Sequence, residues 1–533
     1  MLQVSPAAGL TLAVLTLFLI SARAVKLRYF HPLSKYPGPP LAATTFLYRA
    51  YFDIIKDGAW VEHLFSLHEK YGTIVRVGPN ELHFSDPRAY QDVYGIGTRF
   101  IKQPQMYSCF ATDKSVFAMH NHQLAMQLRS AIGPFFSRRA ILNLENVVQS
   151  KVDHLIAKLL TYTNVPANLD LAFRSLSLEI ITTYCFARSS QALDAPNFQH
   201  AILAAIDHTL PMIWVFKHFP FIQKVLLNVP ECFASVLKPS TKGILEQRKM
   251  MGDQIDQIMK DPDSLCGGGH ETIYHHFLNP GDEADFYVTP RTPDSKDTHR
   301  PIVYDVPDRK SNSMKTGPPT QLSRDYLLDE GLYMRFAGSD TVGNTCTVAL
   351  FYILNSPDVQ KALLHELMEA WPDKEMNVGY EKLEKLPYLT AVIKESLRMG
   401  HGVVSPLPRI VGPADAEILG LTVPAGTVVS IGAPILHSNP DIFPHPTTFI
   451  PERWMGEENQ SLDKYLVAFS KGPRSCLGIN LAWCELYLII ANVVRKLELK
   501  PDNATIESIS FRDYFVPVHR GRHFHAYVQP RDL

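Results

Sequence analysis

The sequence predicts a mainly α-helical fold with small β-sheets, preceded by one transmembrane helix, on three observations. Six long segments, 142–160, 168–187, 323–355, 357–371, 386–399 and 477–497, carry apolar residues at three- and four-residue spacing. Strand-like alternation is confined to short runs, Ile74-Val75-Arg76-Val77-Gly78 and Glu81-Leu82-His83-Phe84, with a turn at Pro79-Asn80. The first 22 residues contain no charge, and Leu10 to Ile20 is apolar apart from Thr11 and Thr16.

The helical core can be large. Of 533 residues, 46% are hydrophobic and 20% charged, the balance of a folded chain rather than a disordered one. With 52 basic and 53 acidic residues the net charge is −1 and no basic stripe stands out, which argues against a nucleic-acid partner. Seven cysteines, odd in number and scattered, do not make a disulfide framework and point to reduced thiols. Neither internal repeats nor a splitting linker is evident, so one large catalytic unit is expected over 41–533.

The N-terminal stretch, 1–25, reads as a membrane anchor. Arg23, Lys26 and Arg28 follow it, whereas a signal peptide carries its charge before the apolar run, despite the A-x-A pattern at Ala22 and Ala24. Residues 26–40 form a basic, proline-rich hinge whose Tyr36-Pro37-Gly38-Pro39-Pro40 is stiff. The stretch 261–321, with Cys266-Gly267-Gly268-Gly269, several prolines and many charges, reads as a long surface insertion. His270-Glu271 and His275 inside it miss the i, i+4 spacing of a zinc-protease helix. Leu210 to Ile222, rich in aromatic residues, fits a substrate-site wall, a second membrane contact or plain core equally well.

The chemistry centres on Phe469-Ser470-Lys471-Gly472-Pro473-Arg474-Ser475-Cys476-Leu477-Gly478, which fits F-x-x-G-x-R-x-C-x-G at all five fixed positions. A thiolate offered to haem iron needs a turn that exposes sulfur, N–H groups that moderate its charge and a cation for a haem carboxylate. Gly472 permits the turn, Gly478 lets the following helix approach closely, and Arg474 supplies the cation. The segment resembles the haem-binding loop of the cytochrome P450 monooxygenases.

That resemblance, which runs from the proline hinge to near the C-terminus, implies a P450 fold with haem b (iron protoporphyrin IX) ligated by Cys476. Phe469, Gly472, Arg474 and Gly478 would shape the cofactor site. Ala337-Gly338-Ser339-Asp340-Thr341, inside a helix about 48 Å long at 1.5 Å per residue, is similar to the family's oxygen-activation motif. Thr341 would serve the bound oxygen and Asp340 the proton relay, with Gly338 leaving room for a ligand. Glu395-Ser396-Leu397-Arg398 and Pro451-Glu452-Arg453-Trp454 match in order a buried Glu395–Arg398–Arg453 brace, and Arg129 and Arg409 match propionate-binding arginines. Ala125 departs from the Trp or His usual four positions before Arg129, and Met126 and Gln127 replace common basic residues, so weaker haem anchoring and altered electron-donor docking are expected there.

The implied activity is insertion of one atom of O2 into a lipophilic molecule, with electrons from NADPH through a cytochrome P450 reductase. The style of the chain is similar to membrane-bound fungal enzymes of secondary metabolism, including terpenoid oxygenases, with the domain on the cytoplasmic face of the endoplasmic reticulum. The alternatives are a reductase-independent haem-thiolate isomerase, dehydratase or peroxygenase, and a non-catalytic haem sensor or carrier. A non-haem hydrolase lacks a G-x-S-x-G turn. The expected topology has a direct check at two sequons, Asn459-Gln460-Ser461 and Asn503-Ala504-Thr505. A cytoplasmic domain carries no glycosidase-sensitive mass at either; such mass on the expressed chain reverses the orientation.

Overall fold

Alternating caps and breakers divide the chain into helices of defined length. In the computed structural model, which describes residues 6–229, 239–268, 270–278 and 322–532, the side chains of Ser137, Asn168 and Ser323 each accept a backbone N–H and start the helices Arg138–Leu159, Leu169–Phe186 and Arg324–Asn355. The last of these, the central helix, stops before Pro357, whose ring cannot continue it and instead opens the helix Pro357–Ala370. Two further helices, Pro387–Gly400 and Ile479–Lys496, complete the six that periodicity predicts.

The central helix is buried along most of its length and crosses the helix Leu169–Phe186 at very short range. Glycines make this possible. A Cβ on Gly338 would sit 2.7 Å from Ile181 Cγ1, and one on Gly343 would sit 2.9 Å from the backbone of Arg174. Gly338 therefore serves helix–helix contact in addition to any room that it leaves for a ligand. The buried faces of these helices and of Ile479–Lys496 join in one large apolar core.

The five-stranded sheet runs in the order Ile74–Gly78, Glu81–Phe84, Val428–Ser430, Arg409–Ile410 and Ile101–Lys102, so its neighbours come from distant parts of the chain. At its last pairing, antiparallel register sets Lys102 directly opposite Arg409. A three-stranded sheet ties Leu497–Pro501, the continuation of the last helix, to His525–Pro530 and Ala167–Asn168.

The periodic segments do not include the helices Ala201–His218 and Pro239–Lys260, which pack on each other, the second also on the central helix, and matter for the cavities below. Within Leu210–Ile222 the structure distinguishes the residues: Leu210, Ile213, Trp214 and Phe216 are core, while Phe221 faces outward. The surface-insertion reading is corrected at its start. Leu265, Ile273, Tyr274, Phe277 and Leu278 are buried in the main core, through a 3-10 turn Pro262–Gly268 and a helix Ile273–Leu278, because the apolar side chains outweigh the glycine-rich stretch beside them. Residues 279–321 lie outside the described residues.

The N-terminal helix, Pro6–Tyr29, contains a 20-residue apolar span, Leu10–Tyr29, with mean hydropathy 1.8 and no burial against the rest of the protein. It is long and apolar enough to cross a membrane, whose hydrocarbon core is about 30 Å thick. At its end Arg76 donates to the Leu27 carbonyl at 3.0 Å, fixing the exit of the helix to the five-stranded sheet.

Glu395 and Arg398 are fully buried on Pro387–Gly400, and the structure brings them together with Arg453. Arg398 makes a two-pronged pair with Glu395 at 2.8 and 2.8 Å and also donates to the carbonyls of His437, Pro446 and Thr448. Glu395 accepts in addition from Arg453 at 3.1 Å, from the Trp454 indole at 2.9 Å and from the Ile450 N–H at 2.9 Å. Every lone pair of the carboxylate is thereby used, which offsets its burial. Removing the arginine leaves that carboxylate buried and uncompensated at a cost of about 3–5 kcal/mol. Arg398→Ala should therefore yield little soluble, haem-loaded protein, measured as the haem-to-protein ratio of the purified chain.

Candidate active site

Cys476 sits at the end of a loop held by its own backbone. Its N–H donates to the Phe469 carbonyl at 2.8 Å, closing the turn. Gly472 has φ +69°, and a Cβ there would fall 2.0 Å from the Tyr94 carbonyl, so only glycine fits. Gly478 has no comparable constraint: a Cβ would reach only Phe136 at 3.9 Å, so the close approach expected at this position is absent and the helix Ile479–Lys496 simply begins there. Burial raises the Cys476 thiol, opposed by a hydrogen bond from the Gly478 backbone and by the charge of Arg129. Alone the sulfur holds its proton; a bound metal cation would remove it.

The sulfur faces a cavity whose empty space, counted together with its solvent-open mouth, is about 1610 Å³. One wall is the central helix, through Ala337, Gly338, Thr341, Val342 and Thr345; the other includes Phe469, Leu477, Leu481 and Ala482. These central-helix positions recur at the 3.6-residue period, and 340 is not among them. Successive positions turn by about 100°, so 337, 338, 341, 342 and 345 share one broad arc of the helix and Asp340 falls outside it. It points the other way: its carboxylate pairs with Arg174 at 2.6 Å and accepts from Ser339 at 3.2 Å, while Arg174 also binds Asp207 at 2.6 Å. The acid expected to serve the proton relay thus lies behind the cavity wall, held by Arg174. Burial raises the Asp340 carboxyl, and Arg174 opposes the shift. Thr341 does line the cavity, and its hydroxyl donates to the Ala337 carbonyl at 2.9 Å.

Four cations line the same cavity. Arg129 donates to the Ser475 carbonyl at 2.8 Å, Arg409 to the Tyr107 hydroxyl at 2.5 Å, and Arg474 to the Val116 and Met119 carbonyls at 2.9 and 2.8 Å. The fourth, Lys102, was missed in the sequence. It donates to the Phe117 carbonyl at 2.7 Å and lies 4.2 Å from the centres of both the Tyr107 and the Phe117 rings. Its only sequence signal was a lysine in a short strand, and the partner strand is far away in the chain.

Among the described residues none of the four has an ion-pair partner. The one carboxylate on the lining near them, Glu330, is occupied by the Val116 N–H at 2.7 Å and is pushed up to about 7 by burial. Burial pushes Arg474 down to about 10, and the nearby Arg409 acts in the same direction; Lys102 is held well below its usual range by burial and by Arg474, Arg409 and Arg129. Like charges directly opposite across a strand pair, as at Lys102 and Arg409, are destabilising. An apolar cavity with a thiol at one side and four uncompensated cations fits a flat, largely apolar ligand that carries a metal and two carboxylates, which is haem. The residues present accommodate the cofactor.

The family model for cytochrome P450 matches residues 37–516. The chain belongs to the cytochrome P450 family. It is similar to the cytochrome P450 monooxygenase flvC of Aspergillus flavus, 31% identical over 94% of this chain and 92% of that protein. It is also similar to macH of Penicillium terrestre, a cytochrome P450 monooxygenase 33% identical over 96% of this chain and 95% of that one. Conidiogenone synthase PchP450 of Penicillium rubens is 31% identical over 92% of this chain and 93% of its own length. This P450 is accordingly an enzyme of the monooxygenase class.

Glu485 is a second residue that sequence reading missed. It lines the cavity from the helix Ile479–Lys496, its Oε2 has no partner among the described residues, and burial pushes it up to about 8, so it is neutral near pH 7. Its signal was an acid on the apolar face of an amphipathic helix.

If Lys102 holds a haem carboxylate, Lys102→Met removes one charge-assisted hydrogen bond from the loaded protein while relieving repulsion in the empty one. Haem transfer from the purified variant to excess apomyoglobin should be roughly tenfold faster than from the parent, with the rate read from the absorbance of the acceptor.

Proposed function

We propose that this P450 inserts one atom of O2 into an unactivated bond of a lipophilic small molecule in fungal secondary metabolism. Two electrons come from NADPH through a cytochrome P450 reductase, and the second oxygen leaves as water with two protons. The observation that carries the reading is the convergence of the Cys476 thiol, the Thr341 hydroxyl and four unpaired cations on one apolar cavity. Haem bound there would supply thiolate-assisted cleavage of dioxygen.

The chain's own residues have separable tasks. Arg129, Arg409, Arg474 and Lys102 hold two carboxylates and fix the plane of the ligand. Thr341 donates its hydroxyl hydrogen to the Ala337 carbonyl, which leaves the oxygen free to accept a hydrogen bond within the cavity; passing a proton on requires it to release that carbonyl. Val342, Leu477, Leu481 and Phe515 exclude water and favour a lipophilic substrate. Asp340 acts as a proton carrier only by giving up Arg174. That engagement is also the observation favouring a second reading, reductase-independent haem-thiolate chemistry, which needs no proton supply at this point. Oxygen consumption that depends on NADPH and reductase separates the two.

The single N-terminal apolar helix with Arg23, Lys26 and Arg28 after its apolar core supports single-pass anchoring in the endoplasmic reticulum, with the catalytic domain facing the cytoplasm.

The decisive measurement is the reduced carbon monoxide difference spectrum of membranes containing the chain. The wild type should give the band of a thiolate-ligated haem and Cys476→Ser should lose it; an unchanged band in the variant removes Cys476 from the iron.

A further inference from the structure

Beyond the inner cavity lies a second, solvent-open one, with about 670 Å³ of empty space including its mouth, between the helices Ala201–His218 and Pro239–Lys260, the segment Cys109–Thr112 and the N-terminal half of the central helix. Tyr333 is common to both linings, so its side chain stands between the two volumes. Phe117 stacks on Tyr333 at 4.1 Å, and Phe110 packs on Phe117 and Phe336 at 5.5 and 5.9 Å, so the junction is aromatic.

The walls of the outer cavity are mostly apolar: Ile206, Leu210, Ile213, Phe216, Leu332 and Phe336. Most of its polar groups are already engaged. Thr209 donates to the Ile206 carbonyl at 2.9 Å, Cys109 to the Met106 carbonyl at 3.0 Å, and Arg248 to the Ala111 carbonyl at 2.5 Å and to Asp329 at 3.2 Å.

Gln247 is different. Its side-chain oxygen accepts from Arg335 Nη2 at 3.1 Å. Arginine can only donate, so this contact fixes which end of the amide is oxygen and which is nitrogen. The two amide N–H groups have no acceptor among the described residues. Arg335 is 4% exposed and has no carboxylate partner among the described residues, so an uncompensated positive charge lies behind the amide and makes it a stronger donor.

We propose that the outer cavity binds the oxygenated end of the substrate, with Gln247 donating to a carbonyl or ester oxygen and Arg335 holding the amide in that orientation. The proposal rests on the monooxygenase reading above and names the substrate class for it: an elongated apolar skeleton that already carries an acceptor oxygen at one end. Along the central helix, nine positions from Leu332 to Thr341 span about 13 Å at 1.5 Å per residue, the length of about three fused six-membered rings. The oxygen-bearing end would then sit by Gln247 and the far end near Thr341. A reaction that installs oxygen on the skeleton must precede this enzyme.

Methyl dehydroabietate and dehydroabietane are suitable probes: both have three fused rings and they differ in one terminal ester. Each is titrated into the haem-loaded, full-length protein and its dissociation constant read from the shift of the haem absorption band. The wild type should bind the ester roughly three- to tenfold more tightly, the effect of one hydrogen bond. Gln247→Met, which keeps the side-chain size and removes the donors, should abolish the preference while leaving dehydroabietane within about twofold. Equal affinities in the wild type, no binding of the ester, or a preference that survives Gln247→Met overturns the proposal. The carbon monoxide difference band of the same samples keeps the outcomes apart: its absence brings down the haem-thiolate reading itself, whereas its presence with no ester preference brings down only the role of Gln247.

Discussion

Everything at the active site is organised by an excess of positive charge around a largely apolar cavity. Arg129, Arg409, Arg474 and Lys102 come from four different elements, yet all reach one cavity in which no carboxylate among the described residues pairs with them. They donate to the backbone carbonyls of Ser475, Leu407, Val116, Phe117 and Met119, and Arg409 also to the Tyr107 hydroxyl. Those bonds stitch the cysteine loop to the segment that carries Phe117. They satisfy donors but do not neutralise charge, so a dianion bound among the four would be favoured. The cofactor site and the wall of the substrate cavity are therefore parts of one electrostatic unit.

A second constraint is steric. Gly338 and Gly343 allow the helix Leu169–Phe186 to approach the central helix so closely that a side chain at either position would collide with it. Such contact leaves no rotational freedom, and the rotation of the central helix decides which residues see the cavity. Thr341 does and Asp340 does not. A buried acid on the packed face needs a partner there, and Arg174 from the crossing helix provides it at 2.6 Å.

Several features were legible in the sequence and several were not. The six periodic helices reflect a local property, amphipathic spacing, and their ends follow local caps and prolines. Cys476, Arg474 and Gly472 lie within one short loop, so their proximity is covalent. Lys102 and Arg409 meet only because a strand at residues 101–102 pairs with one at 409–410, a non-local register that no local pattern records. Phe277 and Leu278 follow a glycine-rich stretch that looked irregular, and their burial depends on a core assembled from elsewhere. The division between Asp340 and Thr341 follows from helical period: 340 falls outside the arc shared by 337, 338, 341, 342 and 345. Helix Ala201–His218 escaped notice for the opposite reason: it is apolar on most sides and contains Pro211, so its periodicity is weak.

Arg174 links these parts. It binds Asp340 on the central helix, whose opposite face lines the inner cavity, and Asp207 on Ala201–His218, whose Ile206 and Leu210 line the outer one. One guanidinium thus bridges the floor of the reaction chamber and the roof of the chamber next to it. The net contribution of a buried pair to stability is often small, because desolvation offsets attraction, but the penalty for leaving the buried Asp340 carboxylate alone is large. Asp207 is 42% exposed and would regain water on separation, so its pairing orders the helix Ala201–His218 only weakly. The strong constraint therefore runs between the central helix and Leu169–Phe186, where separation would strand a charge, and it is this contact that sets the rotation of the wall shared by the two cavities.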